Sequence, residues 1–189
     1  MYLTFDDGPE HDVTPEVLDV LKRRNACAAF FIIGRKIAGE EGILRRIADE
    51  GHLVGVHSFT HDDAFPLYGR RRITAELEKC RGMMENVTGR EVRLFRPPFG
   101  VMNPDIASAA GICGMKVVGW DVRSLDTMHR DRTDWVKLTV ERIMGRVRCG
   151  SVILLHDRLK GADKLLEVLL DRLDAEGYRY DRNLPADMI

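Results

Sequence analysis

Short apolar runs alternate with helix-period segments along almost the whole chain, and that alternation limits the fold more than any other feature. Residues 1–5, 27–33, 52–57, 92–95, 116–120 and 151–156 read as strands, several of them closed by Gly or Pro. Between them, Val17, Leu18 and Leu21, then Ile43, Leu44 and Ile47, then Leu77, Cys80 and Met84 recur at helical spacing. Thr14 and Pro15 offer an N-cap and a first-turn proline for the first helix. A short helix is expected around Ile106, longer ones over 135–147 and 165–173, and a last short strand over 178–180. Parallel strands need crossover connections, so this order predicts an α/β fold with a parallel sheet. The chain carries no GxGxxG or Walker-type phosphate loop of the open nucleotide-binding sheets. With six or seven strands to count, the expectation is a distorted or incomplete (β/α) barrel in one domain, 1–189.

Composition removes several classes of function. The 189 residues suit one domain with a substantial core, and a net charge of −1 offers no basic excess for nucleic acid or an anionic membrane. The longest apolar run, 27–33, is far too short to span a bilayer, and no signal-peptide pattern is present. The abrupt opening on a strand is what trimming of a longer N-terminal region would leave. Cys27, Cys80, Cys113 and Cys149 form no CxxC and read as buried free thiols.

The polar residues of interest fall at expected strand ends: Asp6, Asp7, His57, Arg96, Asp121 and His156. In an α/β barrel that rim is where active sites are built. Asp6 and Asp7 end the first strand before Gly8 and Pro9, and strand alternation sends their carboxylates in different directions. Such a pair can divide labour, one holding a cation and the other moving a proton. His57 and His61 lie four residues apart, the spacing that puts two imidazoles on one face of a helical turn. With one aspartate they make a His₂-carboxylate set that leaves positions open for water and substrate. By contrast His11 and His129 have no such context, and His52 reads as a packing residue at a strand start.

Five motifs then occur in a fixed order: Thr4-Phe5-Asp6-Asp7-Gly8-Pro9, His57-Ser58-Phe59-Thr60-His61, Arg96-Pro97-Pro98-Phe99-Gly100, Trp120 to Asp126, and Leu154-Leu155-His156. In this the chain resembles the polysaccharide deacetylases, the NodB-homology group of metal-dependent carbohydrate esterases. The resemblance implies a NodB-like distorted barrel that removes N- or O-acetyl groups from sugars, with an acetylated carbohydrate as substrate and a cell-envelope or secreted location. It implies one divalent ion, zinc foremost with cobalt, nickel or manganese compatible, held by Asp7, His57 and His61. Asp6 would be the general base, held and oriented by Arg96. His156 would be the general acid, tuned by Asp126. Leu154, Phe99 and Trp120 would form the substrate pocket.

Two departures from the family pattern concern the substrate. The fourth motif usually reads Asp-x-x-Asp-Trp, and here it is Arg123-Ser124-Leu125-Asp126-Thr127. The tuning aspartate is kept, while an Asp has become Arg123 and a pocket-wall Trp has become Thr127. Phe99 stands where Tyr is commoner. These changes keep open a same-fold hydrolase of another non-peptide C–N amide bond. A non-catalytic carbohydrate-binding relic would instead lack part of the metal set or the acid, and Asp7, His57, His61 and His156 are all present.

Overall fold

A computed structural model describes residues 1–128 and 131–180. Seven strands form one sheet: β1 (Tyr2–Asp6), β2 (Ala28–Ile32), β3 (Leu53–Val56), β4 (Leu94–Phe95), β5 (Lys116–Val117), β6 (Val122–Arg123) and β7 (Val152–His156). Their order across the sheet is β5-β4-β3-β2-β1-β7-β6, and every pairing is parallel. Helices α1 (Thr14–Arg23), α2 (Glu41–Asp49), α3 (Arg70–Thr88), α4 (Pro104–Ile112) and α5 (Trp135–Met144) supply the crossovers, and α6 (Ala162–Ala175) follows the last strand. The curled sheet is the expected distorted barrel.

Strand alternation divides the core. On β1, Leu3 and Phe5 join a large cluster with Phe30, Ile153, Leu155 and the buried faces of the helices. The alternate positions face inward, where Ala29, Phe31, Leu94 and Val118 make a much smaller cluster. Thr4 and Asp6 belong to that inner face, so β1 delivers a carboxylate to the barrel interior.

Strand β6 is absent from the sequence expectation because it is two residues long and pairs only with β7, too short for a periodic signal. No helix separates it from β5. Instead the segment 118–121 crosses from one edge of the sheet to the other, and among the described residues β5 and β6 do not pair with each other. Trp120 sits on this crossing segment.

Several local expectations need correction. Residues 178–180 form no strand: the Tyr178 hydroxyl donates to the Val147 carbonyl at 3.2 Å and Tyr180 bonds Asp174, which tacks the segment to the surface. Thr14 does not cap α1; its hydroxyl accepts from the Glu10 N–H and donates to the buried Asp157 at 2.7 Å. Asp121 lies before β6, at the end of the sheet opposite the C-terminal rim. There it accepts from the Ser151 hydroxyl at 2.8 Å and the Val152 N–H at 2.7 Å, a structural task. All four cysteines are free thiols, but Cys149 is exposed rather than buried. His129 lies outside the described residues.

Candidate active site

The C-terminal ends of β1, β3 and β7, with the loops after β4 and β6, enclose a cavity of about 170 Å³. Asp6, Asp7, His57, His61, Phe99, Trp120, Thr127, Leu154 and His156 all line it, as do Arg123 and Arg158. Arg96 and Asp126 stand directly behind this wall, both fully buried.

The two aspartates do not diverge as alternation predicts. Asp6 is the last residue of β1 and points inward, but Asp7 follows with φ of +77°, and this left-handed turn swings its carboxylate into the same pocket. Asp7 Oδ1 then lies 3.5 Å from His57 Nε2 and 3.4 Å from His61 Nε2. The donor atoms of these three residues all lie within 4.8 Å of one another, close enough to converge on one cation. His57 Nδ1 donates to the Arg96 carbonyl at 2.7 Å, which leaves Nε2 with its lone pair facing the carboxylate. Burial lowers the His57 pKa against the opposing charges of Asp6 and Asp7, a shift toward the neutral imidazole that a metal requires. Burial works against ionisation of Asp7, but His57, His156, His61 and Arg158 outweigh it and the pKa is lowered.

His57 and His61 are brought together by a loop rather than a helical turn. Ser58 and His61 both take positive φ, and the chain between them is gathered by Glu76 on α3. That carboxylate accepts from the Phe59 N–H at 3.0 Å and the Thr60 N–H at 2.8 Å. Glu76 lies 16 to 17 residues beyond the loop and carries no motif, so sequence reasoning misses it. The Phe99 ring meets His61 edge-on at 4.9 Å and braces it from the pocket mouth. Its neighbour Gly100 has φ of +67°, and a Cβ there would strike the Trp120 indole.

Asp6 is held by the most heavily bonded side chain in the site. Arg96 donates to Asp6 Oδ1 at 2.7 Å, to the Thr4 hydroxyl at 2.8 Å, and to the carbonyls of Val118 and Gly119 at 3.0 and 2.9 Å. Its guanidinium also stacks on Phe31 at 4.0 Å. On the opposite wall, Asp126 Oδ2 accepts from the His156 N–H at 2.9 Å and Oδ1 lies 2.8 Å from His156 Nδ1. Burial depresses the His156 pKa, but the bond and charge of Asp126 outweigh it, and the pKa is raised. His156 Nε2 faces the pocket, 3.9 Å from Asp7 Oδ2.

Apart from Asp121, the residues singled out from the sequence for this site are therefore in or against one cavity. Missing from that set is Arg158, whose Nε donates to Asp7 Oδ2 at 2.7 Å. The nearby Asp157, also unforeseen, is fully buried, with its carboxyl pushed up to about 7 by burial. A Cβ on Gly8 would collide with it, so Gly8 is needed for close packing as well as for the turn. Both directly follow His156, but nothing in the sequence marks their partners, Thr14 for Asp157 and Asp7 for Arg158.

Comparison with known proteins fits this geometry. Residues 1–118 match the family model described as Polysaccharide deacetylase. The peptidoglycan-N-acetylglucosamine deacetylase PgdA of Listeria monocytogenes is 31% identical, over 94% of this chain and 36% of its own length. The chain thus spans only about a third of that relative. A chitooligosaccharide deacetylase of Sinorhizobium fredii is 36% identical, over 83% of this chain and 71% of its own. Among solved structures, the polysaccharide deacetylase Bc1974 of Bacillus cereus superposes with a TM-score of 0.87 at 32% identity, covering 96% of this chain and 90% of that one. By its sequence, its fold and the residues gathered at its strand ends, the chain belongs to the polysaccharide deacetylase family.

Proposed function

We propose that residues 1–189 form one catalytic domain, a divalent-metal-dependent hydrolase that removes acetyl groups from an N-acetylated glycan. The observation that carries this reading is the convergence of three units on one cavity. These are a His₂-carboxylate donor set, an Asp–Arg pair and a His–Asp pair. The relatives are named for peptidoglycan N-acetylglucosamine and for chitooligosaccharides, which supports an N-acetylated sugar polymer as substrate and an envelope or extracellular place of action. Among the described residues no helix is long and apolar enough to cross a membrane.

Asp7, His57 and His61 would hold the ion, with zinc the first expectation for neutral imidazoles and one carboxylate. A divalent ion bound there supplies polarisation of the acetyl carbonyl and acidification of water. Asp6 accepts the proton of the attacking water. Arg96 occupies one oxygen of that carboxylate and so fixes the other toward the pocket. As the C–N bond breaks, the departing amine needs a proton, and His156 gives it from Nε2 while Asp126 keeps the ring oriented through Nδ1. Leu154 lines the cavity beside these groups and offers an apolar surface to the acetyl methyl.

The test separates the neighbouring carboxylates. Asp7→Asn is expected to lose most of its bound metal. Asp6→Asn is expected to keep the metal yet lose about 10²–10⁴ in rate, the usual contribution of a positioned base. Elemental analysis and acetate release should be measured on the same preparations. If Asp6→Asn loses metal and Asp7→Asn retains it, the roles are reversed. If both keep metal and full activity, the proposed reaction is wrong.

A further inference from the structure

We infer that Arg158 is a positioning residue for Asp7, the carboxylate of the proposed cation site: it claims one oxygen and leaves only the other for a metal. The inference rests on the metal-dependent reading and deepens it, because it assigns control of the site to a residue outside the donor set.

The two oxygens of Asp7 face different neighbours. Oδ1 lies 3.5 Å from His57 Nε2 and 3.4 Å from His61 Nε2, so it is the oxygen turned toward the donor set. Oδ2 accepts from Arg158 Nε at 2.7 Å and lies 3.9 Å from His156 Nε2. The shorter distance is that of a charge-assisted hydrogen bond, roughly twice as strong as a neutral one. Arg158 comes in from the pocket mouth with its side chain 42% exposed, but the Asp7 end of the contact is only 10% exposed. Water and salt therefore screen it less than an ion pair on the open surface.

The backbone that carries Arg158 is anchored at the same turn. Asp157 is fully buried, accepts from the Thr14 hydroxyl at 2.7 Å, and its carboxyl stands where a Cβ on Gly8 would. Asp157 on Gly8 and Arg158 on Asp7 thus grip adjacent residues of the turn after β1. Because both follow His156, one short segment at the end of β7 sets the proposed acid and Asp7 against each other.

Carboxylate chemistry gives this grip a consequence. A carboxylate with both oxygens free can take a cation through the pair, which uses up a further coordination position. A catalytic site has to keep positions for water and substrate. Tying Oδ2 to a guanidinium protects such a position. It also disfavours larger, oxygen-seeking ions, which readily take both oxygens of a carboxylate. Partners that hold a metal ligand from outside the donor set are worth about 10–100-fold in metal affinity. The Arg158 charge has a separate effect, since it repels every divalent ion alike. A ratio of two divalent affinities cancels that repulsion and reads how many oxygens Asp7 offers.

The experiment measures zinc and manganese affinities of the full chain by competition with a metal-sensitive dye, with the urea midpoint of each metal-free variant as a check on folding. Arg158→Leu is expected to narrow the preference for zinc over manganese by about tenfold, the lower end of what such a partner is worth. Arg158→Gln should keep most of the wild-type preference. Its amide nitrogen stands as many bonds from the backbone as Arg Nε and can still donate to Oδ2 without the charge. A folded Arg158→Leu variant with the wild-type preference would overturn the inference, and so would an Arg158→Gln variant that behaves like Arg158→Leu. Both of those outcomes leave the metal-dependent reading intact. A wild-type chain that binds neither ion would refute that reading itself, and the inference would fall with it.

Discussion

The molecule divides unequally near residue 118, where the match to the family model ends. On the N-terminal side, β1 and β2 are five residues long and fully paired, and β1 ends in the proposed base with Asp7 directly after it. On the C-terminal side, β6 is two residues long and stands at one edge of the sheet, paired with the five-residue β7. The contrast is plainest in two arginines. Arg96 has no exposed side-chain surface and bonds Asp6, Thr4 and two carbonyls. Arg123 is exposed, and its guanidinium bonds none of the described residues. A network with every donor used resists substitution, because losing one partner strands another inside the protein. A short edge strand at a pocket mouth has no such penalty, so its side chains can change with the ligand.

The largest expected effect is at Arg96. Arg96→Leu leaves Asp6 buried beside no cation and should cost about 3–5 kcal/mol of stability. Arg123→Gln should stay within about 0.5 kcal/mol of wild type, as exposed substitutions usually do. Urea denaturation of both variants would test the contrast directly; similar midpoints would break it.

The acid pair lies on the C-terminal side but is built like the Asp6–Arg96 pair on the N-terminal side, and Asp126→Asn asks which description holds. His156 must carry its proton to protonate the amine, and the raised pKa lets it do so to higher pH. Removing the anion removes that support, so the alkaline limb of the pH–rate profile should move to lower pH. A limb that stays in place would mean that His156 is not the titrating acid.

The smallest effect is expected at Thr127, which lines the pocket. Thr127→Trp should raise kcat/KM on short N-acetylglucosamine oligomers by a few-fold, about the 1 kcal/mol of one modest apolar contact. An unchanged kcat/KM would remove this wall from the account of specificity.

What could be read from the sequence follows the same division. The strands with clear apolar runs and their terminal Asp, His and Arg residues were legible because position at a parallel strand end fixes where a side chain goes. The divergence expected of Asp6 and Asp7 failed because one left-handed residue cancels alternation, and no local signal marks a non-glycine that adopts it. Strand β6 was hidden by its length, and Asp121 was misplaced with it. Glu76, Asp157 and Arg158 were illegible for another reason. Each acts on a partner brought near only by the fold: Glu76 on the loop after β3, Asp157 on Thr14, and Arg158 on Asp7.

Of the six described non-glycine residues with positive φ, five lie at the site: Asp7, Ser58, His61, Phe99 and Leu125. Each holds its chain in a conformation that costs on the order of 1–3 kcal/mol. Glycine would relieve that cost but would delete the donor, ring or loop contact found there. The sheet and helices must therefore hold the rim in a shape it would not take alone. On warming, the rim is the first part expected to relax, so catalytic competence should fade while the barrel beneath it is still folded. Heat resistance of the fold and heat resistance of the activity are then separate properties of this chain, open to separate adjustment.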